Sequence, residues 1–131
     1  MLRKTTAVAL SVASIMALSA GTAAAFGSRS TALSNGTLTI TADDGCSVSG
    51  NCSLYYSATT YKKTGGSTVS IQLAMTTSDA LYKAAAVNIS AGQTKTHSWG
   101  GKAKSAVSDC DITGYMVATT GSYYTPPVDV C

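Results

Sequence analysis

The chain has 131 residues, 45% of them hydrophobic and 11% charged, with a formal net charge of +3. Two of its nine cations, Arg3 and Lys4, sit at the extreme start, and the remaining seven face six Asp, leaving about +1. That is too little clustered positive charge for a nucleic-acid binder, and the length of a single domain excludes a multidomain enzyme.

After Arg3 and Lys4, residues 7–20 run without a charge, and Ala23-Ala24-Ala25 supplies small residues. A charged start, an apolar middle and a small-residue exit make a secretory signal peptide, similar in style to those of bacterial secreted precursors. The apolar run is shorter than the ~20 residues a membrane-spanning helix needs. The expected division is a signal peptide over residues 1–25 and a secreted, extracellular domain over residues 26–131, with no transmembrane segment in the mature chain.

The mature part is rich in Ser and Thr and has no Glu, a composition that disfavours helix and suits strands. Residues 26–32 are small and polar and read as a loose arm. After the Asn35-Gly36 turn, residues 37–42 alternate through Leu38 and Ile40. Residues 53–61 carry Leu54, Tyr56 and Ala58 on one side, Tyr55 and Tyr61 on the other. Residues 68–76 hold a period of two through Val69, Ile71, Leu73 and Met75. In residues 78–87 a short helical turn is weighed, with Ser78 as cap and Ala84-Ala85-Ala86 as helix formers. Further strands follow around Val87 and Ile89, over 93–99, and in a closing hairpin of 111–118 with 123–130. Turn signals at this spacing predict an all-β fold, a small antiparallel β-sandwich or barrel of six to seven strands.

Four cysteines in an exported chain read as two disulfides. No Cys-x-x-Cys pair occurs and His97 is the only histidine, so a metal site is the weaker reading and none is expected. Of the three pairings, Cys46–Cys52 with Cys110–Cys131 is favoured by register. A hairpin folded at Thr120-Gly121 sets Cys110 opposite Cys131. In that alignment Tyr115, Val117, Tyr124, Pro126, Val128 and Val130 share a face and read as core, and Tyr123 falls on the exposed side.

The segment 98–105 is expected to be a loop carrying the only Trp, Trp99, beside Lys102 and Lys104. Such a loop can anchor a protein partner or stack on a sugar ring. The plainer reading is that Trp99 plugs the core while the lysines are solvated. Tyr61 and Tyr123 join the candidate binding set, since binding surfaces use Tyr often. Pro126-Pro127 marks an edge strand. Catalysis has little support: no Glu is present, and nothing near His97 resembles an activated-serine turn. Asp109 and Asp111 read as solvated turn acids rather than Ca²⁺ ligands. No cofactor is implied.

The run Cys52-Ser53-Leu54-Tyr55-Tyr56-Ser57 through Tyr61, then Thr68-Val69-Ser70-Ile71, then Ala91-Gly92-Gln93-Thr94, resembles the small secreted bacterial α-amylase inhibitors. The resemblance implies a two-disulfide sandwich. Thr59-Thr60-Tyr61 stands where that family carries Trp-Arg-Tyr, so only Tyr61 fits, and the family's second and third Cys have no counterpart. The likeness bears on fold alone.

The sequence thus points to a small secreted, non-catalytic binding or inhibitor-like module, monomeric, with an extracellular protein or glycan as partner. A structural or cell-surface envelope protein is the alternative, and a small toxin or hydrolase stands third.

Overall fold

The structure, a computed structural model, describes residues 25–131, so the signal-peptide reading rests almost wholly outside the described residues. In chain order the elements are β1 (Ala25–Leu33), β2 (Gly36–Asp44), the four-residue helix α1 (Gly45–Val48), β3 (Leu54–Lys63), β4 (Val69–Thr77), β5 (Leu81–Lys83), β6 (Val87–Ile89), β7 (Thr94–Ala103), a 3-10 turn (Lys104–Ala106), β8 (Asp111–Ala118), β9 (Gly121–Tyr124) and β10 (Val128–Asp129). No helix among the described residues is long and apolar enough to cross a membrane.

The strands form two antiparallel sheets, with order β1-β2-β3-β7 in one and β10-β8-β4-β5 in the other. In the second sheet β6 continues the β5 edge along β4, and β9 continues the β10 edge along β8. Ten strands therefore fill eight positions, because both outer strands of this sheet are broken in two. Alternation along each strand fills the space between the sheets. Leu38, Ile40 and Ala42 of β2 face Ile71, Leu73 and Met75 of β4 and Ile112 and Met116 of β8, all of them buried. Tyr55 and Tyr61 enter from β3. Both expected disulfides are present: Cys46–Cys52 closes the loop that carries α1, and Cys110–Cys131 ties the approach to β8 to the chain's last residue.

Residues 26–32 are a strand, not a loose arm. β1 pairs with β2 along its length, and Phe26 packs against the core. An edge strand over a covered seam needs no apolar alternation. Its polar side chains reach the other sheet instead: Thr31 Oγ1 donates to the Tyr124 carbonyl at 2.9 Å, and the Arg29 guanidinium to that of Pro127 at 3.4 Å. The helical turn weighed for residues 78–87 is also absent. β5 and β6 pair with β4 on either side of the alanine run, and the open edge of β4 overrides local helix preference. The Thr77 hydroxyl, not Ser78, accepts from the N–H groups of Asp79 and Ala80.

The closing hairpin departs from the expected faces. Tyr115 pairs with Tyr124 and Val117 with Ser122, whereas Ile112 pairs with Val128. The alignment slips by one residue at Thr125-Pro126-Pro127, and with a side-chain period of two, one residue inverts the face. Tyr115, Val117 and Tyr124 therefore point outward and Tyr123 inward, the reverse of the sequence expectation. Val128 and Val130 are buried as expected. Thr125 manages the slip: its N–H donates to the Gly114 carbonyl, and its hydroxyl accepts from the Gly114 N–H, both at 2.9 Å.

Candidate functional site

The residues singled out from the sequence do not form one site; they fall in three places. The first is the seam between β7 and β5, edge strands of different sheets. Residues 98–103 continue β7 rather than forming a loop. Ala58 pairs with Ser98 and Ser57 with Gly100, which leaves Trp99 as the extra residue of a β-bulge. Gly100, at φ +73°, takes the left-handed conformation that the bulge requires. The bulge turns the half-buried Trp99 ring onto the core, where its Nε1 donates to Thr59 Oγ1 at 3.0 Å. The His97 ring lies 4.5 Å and the Tyr82 ring 6.4 Å from the Trp99 ring, and Lys102 Nζ sits 4.0 Å over Tyr82. Trp99 thus closes the open side of the sandwich. Tyr55 lies beneath this seam, and burial, with Tyr82 nearby, pushes its phenol up to about 12.

Lys104 lies apart from this group. Its Nζ is 3.1 Å from the Asp44 carboxylate, which also accepts from the Cys46 N–H and caps α1. The Cys46 bond first, and Lys104 second, hold Asp44 below the usual carboxylate range. Lys104 clamps the α1 loop to the end of β7.

Tyr61 and Tyr123 meet at the third place, inside the sandwich. They line a cavity of about 90 Å³ between the sheets, with Leu33, Val69 and Met116 as apolar walls. Tyr61 is only 4% exposed and faces the space between the sheets rather than the outer surface. Burial, and Tyr123 close by, raise its phenol above the ordinary value. The Tyr123 hydroxyl shares a 2.9 Å hydrogen bond with Thr120 at the rim. Lys63 also lines this cavity and is 2% exposed. Its charge argues for a solvated position, yet the alternation that turns Tyr55 and Tyr61 inward continues to it.

No family model, curated protein or solved structure matches the chain. The resemblance to α-amylase inhibitors stays a likeness of strand sequence, and its one fitting triplet residue, Tyr61, lies inside the core.

The outer face of the second sheet holds what the inverted hairpin placed there. Register sets Tyr124, Tyr115, Ala74 and Lys83 in one row across four strands. The two tyrosine rings stack, with centroids 4.4 Å apart and planes 14° from parallel. Tyr124 is 53% exposed, while Ala74, between Tyr115 and Lys83, is fully covered. Ser122, then Tyr124, beside the Tyr115 hydroxyl lower its pKa; Tyr115 in turn raises that of Tyr124. Gln72, Val117 and Ser122 form the next row. The acids build turns: Asp109 accepts from the Asp111 N–H, and Asp129 from the Cys131 N–H. Asp129 lies near both sulfurs of Cys110–Cys131, but those sulfurs are spent on each other and are not metal ligands.

Proposed function

We propose that this is a small secreted, non-catalytic binding module that takes a glycan on the outer face of its second sheet. The stacked Tyr115–Tyr124 pair carries the reading. Outside the core these rings add little to the packing that holds the sheets together, and they leave aromatic surface in water. Beside them stand one amide, one hydroxyl and one ammonium: Gln72, Ser122 and Lys83. Ring faces next to uncharged hydrogen-bonding groups suit a largely neutral, polyhydroxylated ligand better than a charged one. A disulfide-tied strand scaffold presents them at low ordering cost. Both disulfides are compatible with an extracellular setting. The Trp99 seam is less suited, because the indole N–H is already used and the ring faces the core.

The test is pull-down on a panel of insoluble polysaccharides, with soluble glycans titrated by calorimetry. Tyr124→Ala and Tyr115→Ala are expected to weaken binding about tenfold or more at unchanged far-UV circular dichroism. Binding that survives both substitutions, or no binding to any glycan, would overturn the reading.

A further inference from the structure

The cavity between the sheets holds an arrangement that the glycan reading does not use. Strand alternation turns Lys63 inward, and its backbone is fully engaged: its N–H donates to Gln93 at 3.0 Å and its carbonyl accepts from Gly92 at 2.8 Å. The side chain is 2% exposed. Among the described residues the sole ion pair is Lys104–Asp44, and no hydrogen bond engages the Lys63 ammonium. Lysines that deep in a protein are normally paired, since an uncompensated buried charge is costly. Lys63 lines one cavity together with Tyr61 and Tyr123.

We propose that the cavity binds a short-chain carboxylate, with Lys63 as counter-charge and Tyr61 and Tyr123 as hydroxyl donors. Three features select that class. The positive charge and the donors call for an anion. Leu33, Val69 and Met116, which line the same cavity, are apolar and suit the ligand's alkyl end, which a bare inorganic ion lacks. The volume of about 90 Å³ is well under the ~150 Å³ of an apolar cavity that takes benzene, so it suits an acid of a few carbons rather than a long chain. Entry lies between the β1–β2 turn, at Ser34 and Asn35, and the β8–β9 turn at Thr120, all exposed.

The test is a heteronuclear NMR titration of the folded, oxidised chain with sodium acetate, propionate and butyrate, against sodium chloride and propionamide. Saturable shifts at Tyr61, Lys63, Met116 and Tyr123 are expected for the carboxylates only. Lys63→Met keeps the volume and removes the charge, and is expected to weaken binding at least tenfold while the chain stays folded. Should that variant not fold, Tyr123→Phe, which keeps the ring and removes one donor, is expected to weaken binding several-fold. Absence of saturable shifts, equal binding by Lys63→Met or, failing it, by Tyr123→Phe, or equal response to chloride or propionamide would overturn the proposal. Because Tyr115 and Tyr124 lie on the other side of the sheet, glycan binding can fail or hold independently.

Discussion

Trp99 Nε1 donates to Thr59 Oγ1 at 3.0 Å, and the same hydroxyl donates to the Ala74 carbonyl at 2.8 Å, so one buried side chain links an edge of the first sheet to the centre of the second. A hydroxyl serves as one donor and as an acceptor, and Thr59 uses both. Thr59→Val keeps the shape and strands both partners. The expected loss is about 1–3 kcal/mol, read as a fall of several degrees in Tm. Trp99 is the only Trp, so its emission reports directly and is expected to shift to the red. An unchanged Tm and spectrum would mean that the seam is closed by packing alone.

The two disulfides are expected to differ in worth. Cys110–Cys131 spans 21 residues and Cys46–Cys52 spans 6. On the loop-entropy account these give about 3 and about 2 kcal/mol. The longer bridge also pins Val128 and Val130, which are buried against the core. Denaturant unfolding of Cys110→Ala/Cys131→Ala is expected to show the larger loss, with amide exchange accelerated first in β10. A larger loss from Cys46→Ala/Cys52→Ala would shift the weight of the fold to the α1 loop.

Alkaline stability is expected to track Tyr55. Its phenol is raised to about 12 from the usual 10, so the folded state holds this proton longer than the unfolded chain does. The contribution is complete below pH ~10 and is lost as pH climbs toward ~12, because the unfolded chain ionises first. Tyr55→Phe removes the titrating group and keeps the ring. It is expected to move the alkaline unfolding midpoint upward with little change at neutral pH. The measurement is unfolding by circular dichroism across pH 9–12, and an identical midpoint in the variant would exclude Tyr55 as the cause.

The strands that bury one face declare themselves in the sequence. Leu38 and Ile40 in β2 and Val69 through Met75 in β4 alternate, and β4 pairs with β8 where that pattern predicts strands. The cysteine register was equally legible, since both bridges close around recognisable turns. β1 was not, because a polar edge strand leaves no apolar period to read. α1 is four residues inside a disulfide loop, too short for any periodic signal. The tyrosines were misplaced by a single residue: Cys110 and Cys131 do lie together, but the slip at Thr125-Pro126-Pro127 lies between them and the turn. Parity decides everything in a strand, and no residue count from the cysteines reveals where the slip occurs. The inward position of Lys63 is not legible for a different reason. It shares parity with Tyr61, but a lysine defaults to a solvated position unless something inside accounts for it.

Gly114 gives the sharpest check on how closely the sheets approach. It sits on the inner face of β8, and an added Cβ would lie 3.0 Å from Ile40 Cβ and 3.0 Å from Thr125 Cγ2. Ile40 belongs to the facing sheet, and Thr125 cannot swing away without losing its bond to the Gly114 N–H. A Gly→Ala change in an unstrained strand normally stabilises by restricting the unfolded chain. Here the sign is expected to reverse, with Gly114→Ala costing about 1–3 kcal/mol through overpacking. Thr125→Ser removes the Cγ2 and keeps the hydroxyl, so the cost of Gly114→Ala is expected to be smaller in that background. Residues in contact couple in this way, and a double-mutant cycle by denaturant unfolding measures it. Strict additivity, or a Gly114→Ala variant as stable as the parent, would mean that the two sheets part at this point more readily than the close approach of Ile40 implies.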